Sequence, residues 1–373
     1  MSLIYFDNAA TTPLSNEVKE AMVQAMDEFG NPSSVHAVGR KSKSLIEGAR
    51  KKISTLLNCQ PGEITFTSGG TEANNLAIFG MVESGNMTAI ISSKLEHPAV
   101  VESIKKASHK FQIPVFWVNT LQSGSVDLND LRELLTQNPK SLVSLMHVNN
   151  EIGTVLDIRK VGLMCREFGA KFHSDTVQSM GHVPINVNEL PVDLLTYSAH
   201  KLNGPKGVGF LFHRKGTKVH AQIVGGKQER EFRGGTENSI GIAGLIASFE
   251  HRFENFEVLN THLLHLKNYF ISQIKTHLPD VTFNGNCTDS ENSQNSMVSI
   301  NFPQFSQNDM LLFQMDLKGI MVSGGSACSS GSVSGSHVLN ELGISGANIR
   351  VSFGTQNTIQ EIDAFMEVLK ELK

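Results

Sequence analysis

Between about residue 60 and 215 the chain alternates short apolar runs with helix-period stretches, a rhythm that few folds accommodate. The runs are Ile64–Thr67, Ala89–Ser92, Val115–Val118, Leu142–Val148, Ala170–Ser174, Val192–Ser198 and Gly209–Phe212. Helical patterns lie between several of them, at Glu72–Val82, Pro98–Ser108, Leu128–Thr136 and Ile158–Phe168. Alternation of this kind predicts a mostly parallel sheet covered by helices on both faces. In such sheets ligands sit outside the carboxyl ends of the strands. Chemistry is therefore to be sought where each run ends.

The pattern changes further on. A helical stretch over Ile240–Leu278 is interrupted near Asn255. Strand-like Met297–Phe302, Gly319–Ser323 and Ile349–Phe353 then alternate with helical patterns at Gln307–Leu317 and Ile359–Leu372. The expectation is an α/β protein: a large domain (16–258) with a mostly parallel mixed sheet flanked by helices, and a smaller α+β domain (1–15 and 259–373). The first residues join the small domain because they precede the first amphipathic helix and carry their own turn chemistry. A chain of 373 residues is long enough for both.

Composition excludes some functions. With 40% hydrophobic and 18% charged residues the chain is an ordinary globular one. A net charge of -4 gives no electrostatic case for nucleic acid or an anionic membrane surface. No apolar run reaches transmembrane length. The opening Met-Ser-Leu-Ile-Tyr-Phe-Asp lacks the basic region and apolar core of a signal, so the expected location is the cytoplasm. Cys59, Cys165, Cys287 and Cys328 are too far apart for a metal-type pair or a disulfide framework. They fit a reducing compartment, where a lone thiol can be chemical.

The strand ends carry unusual residues. Ser198-Ala199-His200-Lys201 closes the run Val192–Ser198. Burial would favour the neutral amine of Lys201, which suits a Schiff base with a carbonyl cofactor such as pyridoxal phosphate (PLP); the plainer reading is a lysine reaching solvent. Ser68-Gly69-Gly70-Thr71 stands between a strand and a helix, where backbone amides and the helix dipole attract an anion. Thr71 could bond a phosphate or cap the helix. Asp175 ends another apolar run and needs a partner. A pyridinium nitrogen would serve, with Gln178 donating to the phenolic oxygen of the same ring; a capping Asp and a surface Gln are the alternative. His97 could stack on a ring and shuttle protons, or be a loop histidine. Asn149 and Glu151 share the rim after Leu142–Val148. Arg350, in a strand pattern, suits bidentate capture of a substrate carboxylate or a structural ion pair. Cys328 stands in Ser323–Ser336, too rich in Gly and Ser to pack a core, and reads as a nucleophile or an incidental thiol.

In their order along the chain these segments resemble the cysteine desulfurases of the NifS/IscS type, in the class V aminotransferase family of fold-type I PLP enzymes. The resemblance covers nearly the whole chain. It runs from Tyr5-Phe6-Asp7-Asn8-Ala9-Ala10 and Gly30-Asn31-Pro32, through Thr67–Glu72, Glu96-His97, Asn149–Gly153, His173–Gln178 and Ser198–Lys201, to Arg233–Asn238, Ser326–Gly331 and Arg350. It implies that Lys201 holds PLP, with Asp175 on the ring nitrogen, Gln178 on the phenolic oxygen and His97 stacked on the ring as acid and base. It assigns the phosphate to Gly70, Thr71, Ser198 and His200, and to Thr236 of a neighbouring subunit, hence a homodimer. Asn149 and Arg350, helped by Asn31, would hold the substrate carboxylate.

The implied reaction turns L-cysteine into L-alanine. Lys201 moves the Cα proton, and the Cys328 thiolate takes the sulfur as a persulfide. The sulfur passes to an acceptor protein such as an iron–sulfur scaffold, in cluster assembly or tRNA thiolation. No metal is bound by the protein, though Cys328 could contact a cluster in passing. The same fold also serves selenocysteine lyases and other class V aminotransferases, which are the alternatives. Two positions depart from the family pattern: Thr176 stands where alanine is common, and Glu231 where glycine is frequent. Cys59, Cys165 and Cys287 are expected to be structural.

Overall fold

The structure is a computed structural model that describes residues 3–303, 308–325 and 336–372. In chain order the elements are β1 (Ile4–Tyr5), α1 (Asn16–Met26), α2 (Ala37–Leu57), β2 (Ile64–Thr67), α3 (Gly70–Glu83), β3 (Ile90–Ser92), α4 (Pro98–Phe111) and β4 (Val115–Trp117). They continue with α5 (Leu128–Gln137), β5 (Leu142–Ser144), α6 (Ile158–Glu167), β6 (Lys171–Asp175), β7 (Leu194–Ser198), β8 (Gly209–His213), α7 (Ser239–Glu254) and α8 (Phe256–His277). The last are β9 (Thr282–Phe283), β10 (Met297–Phe302), α9 (Asn308–Leu317), β11 (Ile320–Met321), α10 (His337–Glu341), β12 (Ala347–Ser352) and α11 (Ile359–Glu371).

Seven strands form one sheet in the order β2-β8-β7-β6-β5-β3-β4. Only β8 runs against its neighbours β2 and β7, so the sheet is mixed and mostly parallel, as expected. Side chains alternate faces along a strand, which divides the apolar runs between two cores. Ile90, Leu142, Leu194 and Leu211 pack with α3 and α4. Ile91, Val143, Leu195, Phe210 and Phe212 pack with residues of α2, α5, α6 and α7. Both faces are covered because β3, β4, β5, β7 and β8 carry apolar residues at consecutive positions.

The run Leu142–Val148 stops pairing regularly at Ser144. The chain still follows β6 through Leu145 N–His173 O (3.1 Å) and His147 N–Asp175 O (3.0 Å), then turns at Asn149. The helical stretch after residue 239 breaks at Asn255, where the backbone leaves helical geometry (φ -106°, ψ 20°) and separates α7 from α8. Beyond it lie a three-stranded antiparallel sheet, β12-β10-β9, and the parallel pair β1-β11. Residues after β1 run beside β12: Ser352 N donates to Phe6 O (2.7 Å) and Asn8 Nδ2 to Ser352 O (2.9 Å). Phe6 meets Phe353 and Phe365 edge-on, and Phe270 meets the same two rings, in a core shared with α8 and α11. No helix among the described residues is long and apolar enough to cross a membrane.

The interior of the large sheet contains histidines. His173 on β6 bonds Ser144 Oγ on β5 (2.9 Å) and Thr196 Oγ1 on β7 (3.1 Å), tying three strands together. His213 bonds Thr65 Oγ1 across β8 and β2 (3.1 Å). Burial lowers the pKa of each, and of His147, to about 4. In the unfolded chain these rings take up protons near 6.5. Between the two values the unfolded state binds more protons, so stability is present above pH 6.5 and lost as pH falls towards 4. The slope approaches about 1.4 kcal/mol per pH unit for each histidine. We predict that the melting temperature drops steeply across this window. His173→Gln should flatten the drop, and an unchanged profile would show that the ring is not neutral in the fold.

Candidate active site

The loop between β2 and α3 brings backbone close to a cavity. Gly69 is the residue that caps α3, with φ +139°, a conformation that favours glycine, and it offers no side chain to the helix amides. Thr71 therefore sits inside the first turn and is not the cap. A Cβ on Gly70 would lie 2.9 Å from Val177 Cγ2, so only glycine fits there without displacement. Unused amides at the positive end of a 14-residue helix make this an anion-binding corner. Ser198, at the end of β7, faces it: its Oγ is 3.5 Å from where a Cβ on Gly69 would stand. Glu72 stays out of the corner by accepting from Ser68 N (2.9 Å) and Arg233 Nε (3.0 Å).

Asp175 ends β6 beside that corner. Its Oδ2 accepts from Asn74 Nδ2 (2.7 Å) and its Oδ1 from Val177 N (2.9 Å). Asn74 is 1% exposed, and its own Oδ1 has no partner among the described residues. Gln178 Nε2 donates to Ala9 O (2.8 Å). The hydroxyl of Thr176 donates to Thr196 O (2.7 Å), so it is taken up by the sheet rather than offered beside Asp175.

Lys201 follows β7 at the end of a short 3-10 turn, Ala199–Lys201. Its Nζ donates to Ala9 O (2.5 Å) and Ala10 O (2.8 Å). His200 bonds Thr11 Oγ1 through Nδ1 (3.2 Å), and burial, with Lys201 and Lys206 adding to it, brings its pKa to about 4. His97 caps α4: its Nδ1 accepts from Ala99 N (3.1 Å), which leaves Nε2 to carry the proton of the neutral ring. Burial lowers the pKa of His97; Asp175 opposes the shift, while Lys201 and His337 reinforce it. At neutral pH the ring is thus a neutral donor through Nε2.

Arg350 lies on β12 and is 2% exposed. Its Nη1 donates to Asn150 O (2.6 Å) and its Nη2 to Asp7 Oδ1 (2.8 Å), while Nε has no partner among the described residues. The Asn149 side chain is committed to backbone groups: Nδ2 donates to Leu95 O (3.0 Å), and Oδ1 accepts from Glu151 N (2.9 Å) and Ile152 N (3.1 Å) of its own turn. Its neighbour Asn150 lines the cavity instead. Asn31 and Thr236 are exposed and are not among the residues lining this cavity. Cys328 lies outside the described residues. The other three thiols are held inert: burial pushes Cys59 up to about 12 and raises Cys165 and Cys287 as well.

Gly70, Thr71, His97, Asp175, Gln178, Ser198, His200, Lys201 and Arg350 thus surround one cavity of about 210 Å³. Two cations, Lys201 and Arg350, face one carboxylate, Asp175, across it. That balance suits an anionic occupant. The donor set fits PLP: an amide corner with hydroxyls for a phosphate, a buttressed carboxylate for a ring nitrogen, an amine for an aldehyde, and the unpartnered Asn74 Oδ1 on the same wall. Sequence reasoning missed Asn74, Asn150, Ala9, Ala10 and Asp7. The last three lie in a motif quoted for its resemblance, but nothing local shows that residues 7–10 reach Lys201 and Arg350.

Residues 4–365 match the model of the class-V aminotransferase family. The chain is 41% identical to the cysteine desulfurase IscS of Dictyoglomus turgidum, covering 99% of this chain and 94% of that one. It is 39% identical to the cysteine desulfurase IscS of Methanosarcina thermophila, over 99% and 91%. Among solved structures, a NifS-like protein from Rickettsia africae superposes with a TM-score of 0.89 at 34% identity, covering 99% of both chains. A protein solved as SspA in complex with cysteine superposes with a TM-score of 0.80 at 30% identity, over 95% of this chain and all of the other.

The Asp7–Arg350 pair joins residues far apart in sequence, and its guanidinium is buried. Asp7→Ala should lower the unfolding free energy by about 3 kcal/mol, because it strands a buried charge. Adding Arg350→Met should recover part of the loss. Denaturant melts of the two variants check this, and a loss well below 1 kcal/mol for Asp7→Ala would show that solvent screens the pair.

Proposed function

The chain belongs to the class-V aminotransferase family, among its cysteine desulfurases, and from that premise we propose how its residues convert L-cysteine to L-alanine with PLP. The observation that carries the reading is the convergence of Lys201, Asp175, His97, Arg350 and the Gly69-Gly70 corner on one cavity. The neighbour solved with cysteine supports the substrate.

In this reading the phosphate is held by the α3 amides with Thr71, Ser198 and His200, the ring nitrogen by Asp175, and the aldehyde by Lys201. Bound there, PLP supplies an electron sink that makes the Cα proton of cysteine acidic and its sulfur a leaving group. Asn74 keeps the Asp175 carboxylate aimed by donating to Oδ2. Arg350 orients the substrate carboxylate, with its unpartnered Nε and its rigid anchoring to Asp7 and Asn150. Once free of the aldehyde, the Lys201 amine carries the Cα proton. His97, neutral and with its proton on Nε2, serves as acid and base at the substrate thiol.

Cys328 is assigned as the sulfur acceptor. Its thiolate attacks the substrate sulfur: the S–S bond forms, the Cβ–S bond breaks, and the electron pair stays with the carbon fragment, which is protonated and leaves as L-alanine. The sum, cysteine plus enzyme thiol to alanine plus enzyme persulfide, balances without an external oxidant or reductant. The matching acceptor is a protein thiol such as that of an iron–sulfur scaffold, in the reducing cytoplasm.

A homodimer completes the reading. Val23, Met26, Phe29 and Val35 stand exposed around the end of α1 and the approach to α2, Phe29 at 84% and Val35 at 88%. So large an apolar surface calls for a partner, and a second copy would also give Asn31 and Thr236 a site to serve. Sedimentation should show a dimer. Phe29→Asp with Val35→Asp should give a monomer with weakened PLP affinity, and a monomeric wild type would remove this part of the reading.

The decisive experiment compares wild type, Lys201→Ala and Cys328→Ser by visible absorbance and by alanine and sulfide release from L-cysteine with a thiol reductant. Wild type and Cys328→Ser should show the absorbance of lysine-bound PLP, and Lys201→Ala should not. Only wild type should release sulfide. Sulfide from Cys328→Ser at the wild-type rate would disprove the role of Cys328. Activity on selenocysteine alone would replace desulfuration by a lyase reaction.

A further inference from the structure

The turn Asn149–Gly153 also carries Glu151, a carboxylate only 1% exposed. Among the described residues no lysine or arginine pairs with it; the nearest basic nitrogen is His337 Nδ1, 3.9 Å from Oε1. Its Oε2 accepts a hydrogen bond from Ser336 Oγ. The same oxygen lies against Gly325: a Cβ there would be 2.8 Å from Glu151 Oε2 and 3.0 Å from Ser336 Cβ. Gly325 has φ +143°, so the position is closed to other residues by conformation as well as by space. One buried oxygen therefore bonds Ser336 and lies against Gly325, and in sequence these residues bracket the stretch 326–335 that contains Cys328.

The junction is tied to the cavity on two sides. Arg350 N donates to Ser323 O (2.6 Å), and Arg350 Nη1 to Asn150 O (2.6 Å), the residue before Glu151. His337, the residue after Ser336, bonds Glu96 O (2.9 Å), next to His97. Burying a carboxylate without a cation costs stability, and a neutral side chain would fill the space more cheaply. The arrangement makes sense if the carboxylate has a task.

We propose that Glu151 is a positioning residue for the sulfur-transfer step. It holds Gly325 and Ser336 together against the walls that carry Arg350 and His97. Fixing both ends of a chain segment raises the effective concentration of any group it carries at the site facing those ends. Removing that constraint lowers the rate of thiol attack without touching the groups that bind substrate. The inference rests on the desulfurase reading given above.

The test uses PLP-loaded wild type, Glu151→Ala, Glu151→Gln and Ser336→Ala. Two quantities are read separately: the L-cysteine concentration that half-saturates the visible spectral change, and the single-turnover rate of persulfide formation on Cys328, followed by alkylation and mass spectrometry. For Glu151→Ala the half-saturating concentration should stay within about twofold while persulfide formation falls by about tenfold or more. Glu151→Gln keeps an acceptor oxygen for Ser336 and should regain most of the rate. Ser336→Ala should show the same split in weaker form, and it decides the matter if Glu151→Ala does not fold. A wild-type persulfide rate in Glu151→Ala, or in Ser336→Ala where Glu151→Ala does not fold, or a loss of cysteine binding in proportion to the rate, would overturn the inference. No persulfide on Cys328 in wild type would instead overturn the desulfurase reading itself.

Discussion

The cavity depends first on the burial of one guanidinium. Arg350 cannot shed its charge inside the protein, and at 2% exposure it must find partners there. They come from two distant places, the Asp7 carboxylate and the Asn150 carbonyl. Neither partner helps unless β12, the segment after β1 and the turn after β5 have all reached their final positions. The site is therefore assembled by the long-range contacts of the fold and cannot form from any single βα unit. The same segment after β1 supplies the Ala9 and Ala10 carbonyls to Lys201. One stretch near the start of the chain thus orients both cations of the cavity.

Beneath the cavity the sheet is polar where most sheets are apolar. Ser144, His173, Thr176 and Thr196 are all buried, and their hydrogen bonds run from β5 across β6 to β7. Such a network is stabilising only when its members are satisfied. Here it fixes the relative heights of the strands whose ends bear Asp175 and Ser198, through the register that sets Asp175 opposite Thr196. Low polarisability around the cavity has a second effect. It drives the protons off His97 and His200.

The large sheet was legible because most of its strands carry apolar residues at consecutive positions and its helices carry clear periodicity. Helix α2 was not picked out. Its buried Ile46, Ala49, Ile53 and Leu57 keep helical spacing, but Arg, Lys and Ser residues crowd between them. Residues at strand ends stood out for the same reason the strands did, since a charge after an apolar run is conspicuous. What stayed hidden were the partners. Asn74 looks like any polar residue of a helix, and only the packing of α3 on β6 turns it towards Asp175. Asn149 and Asn150 are indistinguishable in sequence; the turn commits the side chain of the first to backbone amides and presents the second to the cavity.

Backbone strain near Glu231 bears on the phosphate corner. Glu229, Arg230 and Glu231 have φ of 43°, 55° and 70°, a run of left-handed residues without a glycine. Each costs on the order of 1 kcal/mol. The compensation is visible. The Glu229 carboxylate grips Arg50 in a fork, with Nη1 to Oε2 and Nη2 to Oε1 both at 2.8 Å, and accepts from Phe66 N at 2.8 Å. Arg50 in turn donates to Ile64 O (2.6 Å). A bidentate pair of buried charges with further hydrogen bonds is strong enough to hold an unfavourable turn. Its contacts fall on β2, the strand that leads into Gly69 and Gly70, and the turn it holds delivers Arg233 to Glu72 in the first turn of α3. The strained run thus braces the amide corner from below and from the side, which is why a costly backbone persists so close to the site.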